Sequence, residues 1–129
     1  MGTRCLTYVY DELQNPLLCI YRQFDGYPSG HGLELVDFLK GRVLVNGFNE
    51  KHTVDKKFSN GMGCLAAALV ASLKTCIGNI YIQPVDDDTG YHDYEYHIFR
   101  DSITVKNFNR DIMYSGTWDG FENFCWDDE

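Results

Sequence analysis

The side chains best suited to chemistry lie at residues 21–32, where three glycines alternate with polar residues. Gly30 and Gly32 allow backbone N–H groups to approach a ligand closely, and the helix predicted to begin there adds a partial positive charge. Arg22 supplies a full positive charge, and Tyr27 supplies an aromatic ring for stacking. The segment therefore predicts a site for a small anion. Its glycine spacing fits neither a P-loop nor a dinucleotide-binding fingerprint.

A second glycine-rich segment, at residues 58–64, begins a longer apolar helix. Gly61 and Gly63 leave backbone N–H groups accessible to a ligand, and Ser59 or Asn60 is a suitable N-cap. Two such helix starts facing one place would form a concave anion site. The same residues also suit ordinary turns before helices, which is the alternative interpretation. The predicted ligand-binding residues of the two segments are Arg22, Gln23, Asp25, Gly26, Tyr27, Ser29, Gly30, His31, Gly32, Asn60, Gly61, Met62 and Gly63.

Both segments resemble motifs of one protein family. Tyr-Arg-Gln-Phe-Asp-Gly-Tyr-Pro-Ser-Gly-His-Gly at residues 21–32 and Asn-Gly-Met-Gly-Cys-Leu-Ala-Ala at residues 60–67 are similar to those of small uncharacterised proteins from phages, large DNA viruses and some bacteria. The resemblance brings no established activity. It implies work in a bacterial or infected cell on a nucleotide-like metabolite or signal. We therefore expect binding of an anionic, nucleotide-like ligand, with which a viral protein would sequester a host signal.

A cysteine-dependent hydrolase is the first alternative function. Cys64 lies near a predicted helix N-terminus, a position that favours a thiolate nucleophile. His31 or His97 would serve as the base, oriented by Asp25 or Asp93. However, Cys64 also belongs to the small apolar face of its helix, which predicts an inert buried thiol instead.

Charge is concentrated in the last third of the chain. Residues 1–85 carry 8 basic and 7 acidic side chains, a net charge of +1, whereas residues 86–129 carry 3 and 12, a net charge of −9. This balance argues against binding of extended nucleic acid through its phosphates, but it leaves room for one small phosphate ligand near the glycine-rich segments. A second alternative is an acidic interaction protein, such as a DNA mimic, that presents this region to a basic partner.

Composition limits the remaining possibilities. Five cysteines, none in a Cys-x-x-Cys pair, predict free thiols in a reducing cytoplasm. No metal or cofactor is expected, because His92 and His97 fall on opposite faces of a predicted strand and the acidic run at residues 86–88 lacks EF-hand spacing. No apolar run is long enough to cross a bilayer, so no membrane contact is expected. A tyrosine-rich sheet is compatible with a homodimer.

The predicted secondary structure gives one α+β domain over residues 1–129. Its order, ββααββββ, predicts a single largely antiparallel sheet with two helices packed on one face. The predicted helices are residues 32–40 and 62–73, and the predicted strands are residues 3–10, 17–23, 79–85, 91–100, 102–108 and 111–115.

Three details of this arrangement can be tested directly. The small residues of the second helix are expected to let it lie close on the sheet: Cys64, Ala67, Ala68, Ala71 and Thr75. Residues 51–60 are expected to form an exposed loop. Residues 118–129 are expected to form an acidic, aromatic C-terminal tail that docks through its aromatic side chains.

Overall fold

All six strands predicted from alternating and β-branched residues are present and form one sheet. The computed structural model describes residues 2–47, 49–53, 57–86 and 92–127. Its strands are β1 Cys5–Tyr10, β2 Pro16–Arg22, β3 Val43–Val45, β4 Phe58–Asn60, β5 Ile80–Gln83, β6 Tyr94–Ile98, β7 Ile103–Asn107 and β8 Ile112–Gly116. Its helices are α1 Leu33–Leu39, α2 Glu50–Thr53, α3 Gly61–Leu73 and α4 Trp118–Asp127. A wide π-type turn, Pro28–Gly32, leads into α1.

The main sheet has six strands in the order β5-β2-β1-β6-β7-β8. All of its neighbouring strands are antiparallel except β1 and β6, which run parallel. The predicted α+β class with a largely antiparallel sheet is therefore confirmed. The β1–β2 hairpin closes because the Asp11 carboxylate accepts hydrogen bonds from the backbone N–H groups of Leu13 and Asn15, at 2.9 and 2.8 Å.

The sheet has two chemically different faces. Helices α1, α3 and α4 cover the face that carries Val9, Ile20 and Ile98, which are completely buried in the core. Because side chains alternate along a strand, the other face carries a different set. We call it the tyrosine face, and it is formed by Tyr8, Tyr10, Tyr21, Tyr81, Glu95 and His97.

Helix α3 packs on the sheet with the opposite face from the one predicted. Its large side chains are buried, whereas Cys64, Ala67 and Ala71 are exposed. Burial of leucines removes more apolar surface from water than burial of alanines, so the large side chains take the core positions. The prediction that the small residues would lie on the sheet was wrong, and so was the prediction of a buried Cys64. The buried residues of α3 are Met62, Leu65, Ala66, Leu69 and Leu73.

The predicted loop at residues 51–60 also contains regular structure. Part of it belongs to α2, and its last residues form β4, which pairs in parallel with β3 in a small second sheet. Residues 54–56 lie outside the described residues. The loop prediction was wrong because β3 needs a partner for its backbone groups, and a three-residue strand leaves almost no periodic pattern.

The C-terminal segment forms α4, and three of its aromatic side chains pack on the core as predicted, namely Trp118, Phe121 and Phe124, whereas Trp126 is exposed. Phe121 and Cys125 are fully buried, and the helix lies against α1 and the π-type turn. The approach is close: a Cβ added at Gly32 would lie 2.6 Å from the Cys125 Sγ atom. A glycine at position 32 is thus required for α4 to dock there. Residues 128 and 129 lie outside the described range, and none of the described helices has the length and hydrophobicity of a membrane span.

Candidate functional site

The positive charge of the first glycine-rich segment is already neutralised within the protein. Arg22 is 7% exposed, and its guanidinium pairs with the Glu34 carboxylate on α1. The same side chain donates to the carbonyl oxygen of Phe24 at 2.5 Å and to Nδ1 of His31 at 3.2 Å. Arg22 therefore holds the segment to α1 and is not available as a free cation for a ligand.

His31 is buried completely and has both ring nitrogens engaged. Because Nδ1 accepts from Arg22, the proton must lie on Nε2, which donates to the Thr7 hydroxyl oxygen at 2.7 Å. The ring also lies edge-on to Tyr96, with 4.9 Å between the ring centroids. Burial, with the neighbouring Arg22 charge, lowers the His31 pKa to about 3, so the ring is neutral. A neutral imidazole without a free nitrogen fixes the loop on β1.

The other residues of the first glycine-rich segment either pack on β1 or lie at the surface. Gly26 lies so close to β1 that an added Cβ would be 2.9 Å from the Cβ of Cys5, and its N–H donates to the carbonyl oxygen of Thr3 at 2.9 Å. The side chains of Asp25 and Tyr27 are exposed, and Tyr27 donates to Asp25 at 3.4 Å. Partly exposed positions complete the outer surface of the segment: Gln23, Ser29 and Gly30.

The start of α3 is capped by a residue from a distant part of the chain. The carboxylate of Glu12, in the β1–β2 turn, accepts a hydrogen bond from the Met62 N–H at 2.8 Å. Asn60 makes no capping bond, because its side-chain oxygen accepts from the Gly47 N–H at 2.6 Å instead. The negative charge of Glu12 therefore occupies the helix start that was predicted to bind an anion. Asn60 holds the N-cap position as predicted, but its side chain does not cap the helix.

Replacement of Glu12 by alanine should destabilise the protein by about 1–2 kcal/mol, because the N–H of Met62 and the positive end of α3 lose their partner. Urea unfolding followed by circular dichroism measures the change. Glu12→Gln is the matched control: it keeps an oxygen acceptor and should lose less than half as much. An unchanged midpoint in Glu12→Ala would show that the cap contributes nothing.

The two glycine-rich segments do not meet. The first contacts Thr3 and Thr7, whereas the second contacts Glu12, which follows the other end of β1. The six residues of β1 extend over about 17 Å at about 3.4 Å per residue. Only the second segment, through Asn60 and Gly61, lines the cavity described below.

The residues of the hydrolase alternative are also placed apart. Cys64 is exposed on α3, which packs on the helix-covered face of the sheet. His31 uses both nitrogens for Arg22 and Thr7, and His97 lies on the tyrosine face. The structure therefore brings neither histidine to Cys64.

A groove runs along β3 from the start of α3 to the start of α4. One part is a cavity of about 340 Å³ bordered by Glu12, Asn60, Gly61 and Arg100. The adjoining part, of about 440 Å³, shares Leu44 and Arg100 with the first. We call the two cavities together the Arg100 groove. Its other lining residues are Val45, Asn46, Arg42, Val43, Asp101, Thr117, Trp118 and Asp119.

Two arginines and a tryptophan line this groove. Arg100 lies in the turn between β6 and β7, and its guanidinium forms no ion pair with any residue of the described ranges. Arg42 stacks on the Phe38 ring, with 4.0 Å from the guanidinium carbon to the ring centre. Trp118 begins α4 and is partly exposed. These residues come from separate segments that meet only in the folded chain, so the sequence offers no local signal for them.

A second cluster of polar side chains lies on the tyrosine face. The Glu95 carboxylate, 5% exposed, accepts hydrogen bonds from Nε2 of His92 at 2.7 Å and from Nε2 of His97 at 3.0 Å. These two bonds hold the pKa of Glu95 well below its usual range. Arg110 Nε lies 3.5 Å from the same carboxylate. Glu95 is therefore an ionised group surrounded by donors.

This cluster corrects the predicted placement of the two histidines. β6 begins at Tyr94, so His92 precedes the strand and turns toward Glu95, on the same side as His97. The prediction that they lie on opposite faces of one strand was wrong because the strand begins three residues later than expected. Among the described residues no group of three histidine, cysteine or acidic side chains is arranged to hold a metal ion.

Comparison with known proteins gives no match to a family model, to a curated protein or to a solved structure. The resemblance to small phage and viral proteins stays a prediction.

Proposed function

We propose that the protein binds a small anionic, nucleotide-like ligand in the Arg100 groove. The observation that carries the proposal is the position of Arg100, whose side chain borders both cavities of the groove. The ligand class is the one that the glycine-rich segments predict. The second glycine-rich segment contributes Asn60 and Gly61 to the site. The first segment contributes nothing, and the positive charge expected from its Arg22 comes from Arg42 and Arg100 instead.

The anionic part of the ligand is expected to lie at Arg100, and Arg42, which donates to the Phe38 carbonyl oxygen and the Ser59 hydroxyl, adds a second positive charge nearby. A guanidinium presents several N–H donors in one plane, a geometry that matches a phosphate or carboxylate. Asp101 and Asp119 line the same cavity, and they confine the favourable position for an anion to the immediate neighbourhood of Arg42 and Arg100.

The other end of the groove favours hydrogen-bond donors on the ligand. Glu12 places a carboxylate there, which repels a phosphate but accepts from hydroxyl or amino groups. Asn46 and Asn60 add amide groups, and the partly exposed ring of Trp118 offers an apolar surface at the opposite end. A nucleotide carries all three kinds of group. The two cavity volumes fall within the range of about 300–1,000 Å³ that is typical of small-ligand sites.

A protein that binds such a ligand without transforming it can act by withholding it from other proteins. The groove supports this mode because its arginines and carboxylates offer partners to both the anionic and the hydrogen-bond-donating groups of a ligand. In a bacterial or infected cell, sequestration of a signal nucleotide would follow from binding alone.

Isothermal titration with inorganic phosphate and a set of nucleoside mono- and diphosphates tests the proposal. We expect binding of at least one nucleotide, and a loss of about 10- to 100-fold in affinity for Arg100→Ala, because one charge-assisted pair is removed. Arg4→Ala is the matched control: it removes the same charge at the start of β1, away from the groove, and should bind as the wild type does.

Tryptophan fluorescence gives an independent measurement. The chain has two tryptophans, and Trp126 is exposed and does not line the groove, so a ligand in the groove should change the emission of Trp118. The change should disappear in Trp118→Phe. Failure of every phosphate compound to bind would refute the proposal, and equal affinity of Arg100→Ala would place the ligand elsewhere.

A further inference from the structure

Three groups on the tyrosine face form a hydrogen-bonded chain outside the Arg100 groove. The Tyr10 hydroxyl lies 2.6 Å from Nδ1 of His97, and Nε2 of His97 lies 3.0 Å from the Glu95 carboxylate. Their positions are fixed by stacking: the His97 ring is nearly parallel to Tyr8 at 5.0 Å, and the Tyr10 ring stacks on Phe99 at 4.4 Å. The order of groups is hydroxyl, imidazole, carboxylate.

The protonation of this chain follows from its hydrogen bonds. Ionised Glu95 accepts a hydrogen bond from Nε2 of His97, so Nε2 carries the ring proton. The Nδ1 lone pair of His97 then accepts a hydrogen bond from the Tyr10 hydroxyl. Burial, with the nearby Glu95 charge, raises the Tyr10 pKa, so the phenol keeps its proton until His97 takes it. A carboxylate that orients an imidazole, which in turn activates a hydroxyl, is the arrangement of groups used in acid–base catalysis.

We infer that Tyr10, His97 and Glu95 form a general acid–base site that hydrolyses small aryl esters. Tyr10 is the half-buried, outermost member of the chain and is the group that meets the attacking water. The partly exposed ring of Phe99 stacks on Tyr10 and gives the site an aromatic wall that suits an aryl group. Lys106 pairs directly with Glu95 across the strands and adds a positive charge to the same face.

Hydrolysis of an aryl ester at this site consumes one water and releases a carboxylic acid and a phenolate. The water oxygen attacks the carbonyl carbon while its proton passes to the Tyr10 oxygen and the Tyr10 hydroxyl proton passes to Nδ1 of His97. The imidazolium is stabilised by Glu95 at Nε2. The tetrahedral intermediate then breaks its bond to the phenolate, which leaves with the bonding electron pair, and the carboxylic acid is released. His97 returns its proton to Tyr10 as Tyr10 loses one to the phenolate or to solvent.

Release of 4-nitrophenolate from 4-nitrophenyl acetate tests this inference. The second-order rate constant of the full chain should fall by about 100-fold in His97→Gln and in Tyr10→Phe, the contribution typical of general acid–base catalysis. Tyr21→Phe is the matched control, because it removes a hydroxyl from the same face on β2 and should leave the rate unchanged. Circular dichroism checks that each variant is folded.

Two outcomes would overturn the inference. One is a wild-type rate no higher than that of His97→Gln, which means that the cluster catalyses nothing. The other is an unchanged rate in Tyr10→Phe, which removes Tyr10 from the reaction. Nitrogen-15 NMR of the wild type is independent of variant folding: it should show the His97 proton on Nε2, and a proton on Nδ1 instead would exclude transfer from Tyr10. None of these readouts involves Arg100, so they do not depend on nucleotide binding.

Discussion

His31→Ala is expected to lower the free energy of unfolding by about 3–5 kcal/mol. The substitution empties a fully buried site and removes the edge-on contact with Tyr96. It also leaves the Thr7 hydroxyl without its donor and one N–H of the Arg22 guanidinium without its acceptor. Since small domains are stable by only about 5–15 kcal/mol, this loss is a large fraction of the total stability. Urea denaturation followed by circular dichroism measures the loss.

The same variant separates two interpretations of the first glycine-rich segment. A histidine that contacted a ligand from the surface could be replaced with little effect on stability, whereas one that holds the loop on β1 could not. His31→Gln keeps a polar group near Thr7 and Arg22, so it should lose less than His31→Ala. A loss below about 1 kcal/mol in His31→Ala would contradict the packing described above and would favour the ligand-binding assignment.

Much of the fold was predictable because its main elements carry long periodic patterns. Alternation predicts the hairpin of β1 and β2 and the strands after residue 79, and helical spacing predicts α1 and α3. The face of α3 did not, because a helix that is apolar almost all round gives no moment to indicate which side is buried. The pair of β3 and β4 was missed because three residues are too few to show a period.

The site was less predictable because one residue type can serve packing or binding equally well. Gly26 and Gly32 were predicted to bind a ligand. In the structure Cys5 lies close to Gly26 and Cys125 lies close to Gly32, so each glycine serves packing. The sequence around Arg22 does not distinguish an arginine that binds a ligand from one that is paired within the protein. Only the position of Glu34 in the folded chain shows that the charge of Arg22 is neutralised. Such distinctions depend on contacts between distant parts of the chain, which one sequence does not reveal.

Acid should destabilise the protein well above the pH at which carboxylates protonate. His31 has its folded-state pKa lowered from 6.5 to about 3, so the unfolded chain takes up the proton first as the pH falls. The contribution of His31 to stability is therefore complete above pH 6.5 and is lost as the pH falls through the range between 6.5 and about 3. The slope approaches 1.4 kcal/mol per pH unit, for a loss on the order of 5 kcal/mol.

Urea unfolding at closely spaced pH values between 7 and 5 isolates this contribution. Glu95 also has a lowered pKa, and its stabilising effect is likewise lost in acid, but only once the pH falls below the ordinary glutamate value near 4.5. The free energy of unfolding of the wild type should therefore decline between pH 6.5 and 5. That of His31→Gln should decline less steeply, because the unfolded variant takes up nearly one proton fewer. Equal slopes in both proteins would mean that His31 is protonated alike in the folded and unfolded chain. That result would be incompatible with a neutral ring enclosed between Arg22 and Thr7.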